Sequence, residues 1–456
     1  MADERENFGS KLGTVLAAAG SAVGLGNIWR FPIETGQHGG AAYIIIYVLC
    51  IIMLGIPIML AEFIIGRRSH SNAVGAYHKL APGTQWKWVG RLSVLAVFIV
   101  TCYYVVVAGW TFEYMVLAMS NAFEGKHAND YVEMFSTFSS NPWQPLVCMV
   151  ALFLITHVIV VHGVNKGIER FSKMMMPMLF IIAIVLVVCS VNLDGASKGI
   201  DFLLRPDFSK ITGSTILNAM GQAFYSLSLG MGILCTYASY FRKDLNMVKT
   251  TLNVCAIDTL VAIMSGFIIF PAVFHAGYEL QPSDIGPSLI FITLPNIFQS
   301  AFQGVPALGY IFSVMFYLLL IVAAITSTIS MHEVMDAYVC EEFKIRRKKA
   351  TALVTACCMF FGVFCCLSFG PLADVKICHM TIFGIFDFVS SNILLPLSGM
   401  LASIFVGWYL KKKVIEEELT NDGVLRVPML NVLAFLLKYI APAAIGVIFL
   451  KNFGIF

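Results

Sequence analysis

Charge is what this sequence has least of. Only 12% of its 456 residues are Asp, Glu, Lys or Arg, about half the share of a soluble domain. By contrast 58% are hydrophobic, and the mean hydropathy is +0.81. So few charges cannot cover a water-facing surface, which excludes a soluble protein and places the chain in a bilayer. The net charge of +3 is small, and no nucleic-acid partner is expected. No nucleotide-binding motif is present, so the expected driving force is an ion gradient. The twelve cysteines lie almost all inside apolar runs, and the long loop after the third run has none. They read as small packing residues rather than as a disulfide framework or a metal site. A cleavable leader is also missing, because the start MADERENFGSK is charged and the first run is too long for an h-region.

What is there is apolar. Eleven runs fall near 12–36, 41–66, 92–123, 143–161, 171–191, 214–239, 250–275, 308–340, 350–369, 380–410 and 428–450. This predicts an all-α integral membrane protein of eleven transmembrane helices. Alternate loops hold twenty-two Lys and Arg on one side and six on the other. That bias predicts a multi-pass protein of the cell (inner) membrane, with its N-terminus cytoplasmic and its C-terminus outside. Segments 192–213 and 276–307 fall outside, and the second is a candidate lid. The run Lys411 to Glu418, KKKVIEEE, reads most simply as a solvated helix end at the cytoplasmic face.

Two runs are interrupted. Ala19 to Arg30, AGSAVGLGNIWR, holds Gly20, Gly24 and Gly26 inside the first run. Each glycine weakens a helix by roughly 1 kcal/mol against alanine. A break within lipid survives only where protein, water or a ligand satisfies its backbone. Freed carbonyls there would hold a cation, and freed N–H groups an anion. A glycine-rich packing seam explains the stretch equally well. The sixth run repeats the pattern in Tyr225 to Gly232, YSLSLGMG. Runs one and six correspond if the chain is a single transporter domain of two five-span repeats, 1–191 and 192–410, with 411–456 as an extra helix. Five spans per half make the repeat inverted, and paired broken helices point to a binding site at the midplane.

Polar residues at depth are few. Asp258 sits mid-span in the seventh run, where a carboxylate marks an ion site by default; a protonated, hydrogen-bonded Asp is the bland alternative. Thr326, Ser327 and Thr328 adjoin Ala323. They either back-bond to their own helix or offer neutral oxygens to a small hard cation. Tyr103 and Tyr104 each need a partner for a hydroxyl. His332, Glu333 and Asp336 lack the second histidine of a zinc signature and read as polar lining near the cytoplasmic end of their helix.

Four segments, GSAVGLGNIWRFP, GIPIMLAEFIIGR, YSLSLGMG followed by TYASY, and AAITS, make the chain resemble the neurotransmitter:sodium symporter family, especially its bacterial amino-acid transporters. The resemblance spans essentially the whole chain. It implies a first sodium site from the Ala22 carbonyl and the side chains of Asn27, Ser226 and Asp258, completed by the substrate carboxylate. A second would use the carbonyls of Gly20, Val23 and Ala323 with the hydroxyls of Thr326 and Ser327. The substrate carboxylate would meet the N–H groups of Leu25 and Gly26 and the Tyr104 hydroxyl, and a helix N-terminus suits an anion. The ammonium would meet the carbonyls of Ala22, Tyr225 and Ser226 and the Ser228 hydroxyl. Val100, Tyr104, Tyr225, Met231, Ser327 and Met331 would line the side-chain pocket.

The resemblance further implies an outer gate of Arg30 and Asp387 under a lid of Tyr104 and Tyr225. The inner gate would pair Arg5 with Glu341, supported by Tyr240. Glu341 replaces the usual Asp and Phe8 the usual Trp, which implies a looser latch. The family's twelfth span has no counterpart, which bears on dimer contacts rather than on the ten-span core. The oligomeric state is left open.

Gly24 stands where monoamine carriers have Asp, so a whole α-amino acid is expected as the small-molecule partner, with hydrophobic or aromatic side chains preferred. Asp258 places a fixed carboxylate where relatives have Asn, while Ala262 one turn on is neutral, so no chloride is expected. The implied function is sodium-coupled import by alternating access, with spans 1, 2, 6 and 7 rocking. A non-transporting amino-acid sensor on the same fold is the alternative. An enzyme is not expected, because Asp258 has no evident catalytic partner.

Overall fold

A computed structural model describes residues 6–277, 289–427 and 430–452. Among them there is no strand, only an isolated bridge between Ile377 and Met380. In chain order the helices are α1a (Lys11–Ala22), α1b (Gly26–Gln37), α2 (Ala41–Ser69), α3 (Lys87–Met119), α4 (Gln144–Val160) and α5 (Val164–Val191). They continue with α6a (Gly213–Ser226), α6b (Ile233–Ala238), α7 (Met247–His275), α8 (Pro306–Glu342), α9 (Arg347–Leu367), α10 (Ile382–Tyr409) and α11 (Leu430–Lys451). Eight of these are single helices long and apolar enough to cross a membrane. Two bent pairs bring the number to ten: α1a with α1b at 55°, and Ala128–Ser140 with α4 at 74°. The α6 halves are shorter.

The long helices carry the scaffold. α8 packs along α3 and is flanked by α1a, α4, α5 and α9. Small residues set how closely neighbours approach: a Cβ at Gly66 would lie 2.0 Å from the Cys235 carbonyl oxygen, so α2 and α6b meet nearly backbone to backbone. The lid expected over 276–307 falls partly outside the described residues. Within it, Leu289–Ala301 is an apolar helix whose Leu289, Phe291 and Phe298 are fully buried.

The KKKVIEEE run differs from the solvated end expected. It lies within helix Lys412–Thr420, whose Ile415 and Leu419 are buried. Glu418 accepts from Arg67 Nε at 2.7 Å, and Glu417 pairs with Arg68 at 3.1 Å. The acidic turn thereby docks on the end of α2, because Arg67 is itself buried and needs a carboxylate.

Candidate substrate and ion site

Both breaks are held open by identifiable contacts. In α1 the helix stops at Ala22, Val23 turns extended, and the chain resumes at Gly26. A Cβ at Gly24 would stand 2.6 Å from Ser327 Oγ and 3.4 Å from the Tyr104 hydroxyl, so only glycine fits. In α6, Ser228, Gly230 and Gly232 all adopt positive φ (54°, 80° and 70°). Glu62, buried on α2, accepts the Gly230 N–H at 2.7 Å. The Ser228 hydroxyl donates to the Ser21 carbonyl at 2.9 Å and ties the two breaks together.

A small cavity lies between them. All eleven residues proposed from sequence to hold the substrate line it: Ala22, Leu25, Gly26, Val100, Tyr104, Tyr225, Ser226, Ser228, Met231, Ser327 and Met331. Ser21, Gly24, Asn27 and Ile233 complete the wall. Its lining mixes backbone and hydroxyl groups, with the Leu25 N–H 3.4 Å from the Tyr104 oxygen, and the apolar side chains of Val100, Met231, Ile233 and Met331. A ligand with a zwitterionic head and an apolar body matches such a lining.

Asp258 is fully buried, behind the cavity residues Asn27 and Ser226. Its carboxylate accepts from Asn27 Nδ2 at 2.7 Å, from Ser226 Oγ at 3.0 and 2.9 Å, and from the Tyr47 hydroxyl at 3.3 Å. Each of these donors is neutral, so an ionised carboxylate here would need a cation to balance it. The groups bonded to the carboxylate are hydroxyls and an amide, and such oxygens suit a small hard cation. Asn27 Oδ1 meanwhile accepts the Gly24 N–H at 3.0 Å, linking the acid to the α1 break.

The hydroxyl row on α8 divides. Thr326 and Thr328 back-bond to Ala323 and Ile325, each at 3.0 Å. Ser327 instead reaches across to the Val23 carbonyl at 3.3 Å. Gly20 faces Thr326, whose Cβ would lie 3.5 Å from a Cβ placed there. Gly20, Val23, Ala323, Thr326 and Ser327 are thus brought to one place between α1a and α8.

The gate residues are less closed. Among the described residues Arg30 and Asp387 form no ion pair. Arg30 lies over the Tyr225 ring at 5.1 Å, and Asp387 accepts from Ser391 at 3.0 Å. Arg5 lies outside the described residues. Its proposed partner Glu341 accepts from the Asn72 N–H at 2.8 Å and the Ser71 hydroxyl at 3.2 Å. Tyr240, expected to support that pair, gives its hydroxyl hydrogen to Glu333 at 2.7 Å. Phe8 fills an aromatic pocket of Tyr237, Tyr240 and Phe241 and is 1% exposed. His332, Glu333 and Asp336 do not line a polar passage: all three are fully buried, and Glu333 ion-pairs with Arg347 on α9.

Several working residues escaped the sequence reading. Ser265, whose hydroxyl donates to the Asn27 carbonyl at 2.6 Å, falls two turns after Asp258 on the same face. Gln222, which donates to the Gly26 carbonyl at 3.2 Å, falls one turn before Ser226. Helical spacing from the polar residues already chosen would have found both. Tyr47 and Glu62 carry no such local signal.

A family model described as the sodium:neurotransmitter symporter family matches residues 5–141 and 133–455. The chain belongs to the sodium:neurotransmitter symporter family. The symporter is 38% identical over 448 residues to the uncharacterized sodium-dependent transporter YhdH of Bacillus subtilis (strain 168), covering 98% of both chains. It is 33% identical over 460 residues to an uncharacterized sodium-dependent transporter of Haemophilus influenzae, again covering 98% of each. The solved structure of MhsT in complex with L-phenylalanine superposes with a TM-score of 0.88 at 40% identity, over 98% of this chain and 100% of that one. As a member of this symporter family it is a helical membrane protein of sodium-dependent transport.

Proposed function

We propose that this symporter imports whole hydrophobic and aromatic L-amino acids with sodium, by alternating access and without chloride. The observation that carries the reading is the cavity at the two helix breaks, lined by both polar and apolar groups, with the Asp258 carboxylate on its wall residue Ser226. The carboxylate of a bound amino acid would meet Leu25, Gly26 and Tyr104, and its ammonium would meet Ala22, Tyr225, Ser226 and Ser228. One sodium ion would sit among Ala22, Asn27, Ser226, Asp258 and the substrate carboxylate. A second would sit among Gly20, Val23, Ala323, Thr326 and Ser327. Ligands bridging the breaks shift an equilibrium between states only through different affinities in each. Joint occupancy on α1 and α6 provides that difference.

The architecture in this reading is one domain of two inverted five-span repeats, 1–191 and 192–410, plus the helix of 411–456, eleven spans in all. The charge bias of the loops supports a cytoplasmic N-terminus and an external C-terminus. Arg30 and Asp387 would close the outer gate, and Arg5 and Glu341 the inner one. The structural likeness to MhsT bound to L-phenylalanine supports the substrate class. The test is displacement of labelled L-phenylalanine from the purified protein in sodium by each of the common amino acids. Hydrophobic and aromatic amino acids should compete. Selectivity for glycine, proline or a charged amino acid would overturn the reading.

A further inference from the structure

Away from the cavity, α8 buries a second ionisable pair that the transport reading does not use. His332 and Asp336 lie one turn apart, both at 0% exposure, with His332 Nδ1 3.2 Å from Asp336 Oδ1. Neither atom has a properly aligned hydrogen-bond partner. Their other ends are satisfied: Asp336 Oδ2 accepts from Thr351 at 2.6 Å, and His332 Nε2 lies 2.8 Å from Thr355 Oγ1. The Thr355 hydroxyl gives its hydrogen to the Thr351 carbonyl at 2.7 Å. The same oxygen lies 2.8 Å from Nδ1 of His157, a partly exposed residue in the last turn of α4.

Counting hydrogens decides what this arrangement holds. Thr355 has one hydrogen for three neighbours; while it points to the Thr351 carbonyl or to His157 Nδ1, the Thr355 oxygen can only accept from His332, and His332 Nε2 then carries a hydrogen. Two bare lone pairs at Nδ1 and Oδ1 would repel inside a low-dielectric wall. A second hydrogen must therefore lie between them. We propose that His332 and Asp336 form a proton-binding site, reached through Thr355 and His157, whose occupancy sets the strength of the neighbouring Glu333–Arg347 latch. Access from the cytoplasmic side rests on the orientation proposed above.

The proton leaves by a balanced relay. The relay starts with the Thr355 hydrogen turned from Thr351 to a bare His157 Nδ1. His332 Nε2–H then passes to the Thr355 oxygen, the Thr355 hydrogen passes to His157 Nδ1, and His157 releases its Nε2 hydrogen to water, which leaves it neutral in the other tautomer. Thr355 then donates to the bare Nε2, His332 keeps Nδ1–H on Asp336, and the pair is left with one net negative charge. Glu333 stands three residues before Asp336 on the same helix face. It accepts from Tyr240 at 2.7 Å and from Arg347 Nη1 at 3.2 Å. Other titratable groups nearby are Cys340 on α8, Cys358 on α9, Cys102 on α3 behind it, and His157 on α4. An added negative charge at Asp336 repels Glu333 and competes for Arg347, so losing the proton loosens the latch and gaining it tightens the latch.

The test titrates purified full-length protein from about pH 5 to about pH 9 while infrared spectroscopy follows carboxylate and imidazole bands. The wild type should show one protonation step that the His332→Gln/Asp336→Asn double variant lacks. L-Phenylalanine binding in sodium serves as the check that both are folded. Should the double variant not fold, Thr355→Val, which leaves the pair but cuts the relay, should move the same step. An identical step in the variants, or none in the wild type, overturns the site. In proteoliposomes, sodium-driven uptake should rise about fivefold between acid and alkaline internal pH, and not with external pH. A flat internal profile with the infrared step intact overturns the coupling to the latch. Response to external pH alone overturns the side of access. Failure of L-phenylalanine uptake itself tells against the proposed substrate, and the infrared step then decides the site.

Discussion

Asn27 and Asp258 are locked together at the broken helix: the Asn27 amide donates to the Asp258 carboxylate at 2.7 Å, while its oxygen takes the Gly24 N–H at 3.0 Å. In the proposed sodium site Asn27 Oδ1 would be a ligand, and the same oxygen accepts the Gly24 N–H, so ion occupancy there would bear on the α1 break. Asn27→Ala and Asp258→Asn should each raise the sodium concentration for half-maximal L-phenylalanine binding about tenfold or more, equivalent to about 1.4 kcal/mol. Unchanged sodium dependence in both variants would show that the ion sits elsewhere.

Chloride independence is the second expectation that rests on Asp258. Another anion beside this carboxylate would be repelled, by about 4 kcal/mol for unit charges ~4 Å apart at an effective dielectric of ~20. Replacing chloride by gluconate at fixed sodium should leave uptake unchanged. A chloride requirement in the wild type would contradict the assignment.

Gly24 sets both fit and substrate class. A methyl group there would press on Ser327 Oγ at 2.6 Å, so Ser327 or the α1 break must give at the cavity wall. Gly24→Ala should lower L-phenylalanine affinity by about tenfold or more. Tyramine and tryptamine, which lack a carboxylate to meet Leu25 and Gly26, should not be carried. Transport of either amine would refute the carboxylate anchor.

Ser327 and Thr328 are neighbours with different duties. Ser327 reaches Val23 across the α1–α8 interface, whereas Thr328 bonds its own helix and Thr156 at 2.9 Å. Ser327→Ala should weaken sodium dependence, and Thr328→Ala should lower only thermal stability, by about 1 kcal/mol. Equal sodium effects would remove the distinction.

Glu62 is a structural prop for the α6 break. Glu62→Ala leaves the buried Gly230 N–H without its acceptor, at a cost of about 1–3 kcal/mol. The melting temperature in detergent should fall, and Glu62→Gln, which keeps an acceptor oxygen, should restore most of it. A Gln variant as unstable as Ala would mean the charge, not the hydrogen bond, supports the break.

Much of this was legible before any coordinates. Glycine spacing at Gly20, Gly24 and Gly26 marks a break because helix propensity and lipid both penalise it, and the lone mid-span Asp258 stands out for its cost. What stayed hidden depends on contacts between distant helices. Glu62 sits in an apolar run whose pattern gives no hint that it meets Gly230, 168 residues away. Arg67 and Glu418 looked like ordinary loop charges, and only the docking of Lys412–Thr420 buries them. His332, Glu333 and Asp336 were visible as residues but misread as lining, since partners on α4 and α9 decide whether a polar cluster faces water or is sealed.

The most direct test of the central claim is uptake of labelled L-phenylalanine into proteoliposomes with and without an inward sodium gradient. Accumulation above the equilibrium level only when sodium is high outside, lost when Asp258→Asn is reconstituted, is the result predicted. Sodium-dependent binding without accumulation would instead describe a sensor, and equal accumulation in potassium would contradict sodium coupling outright.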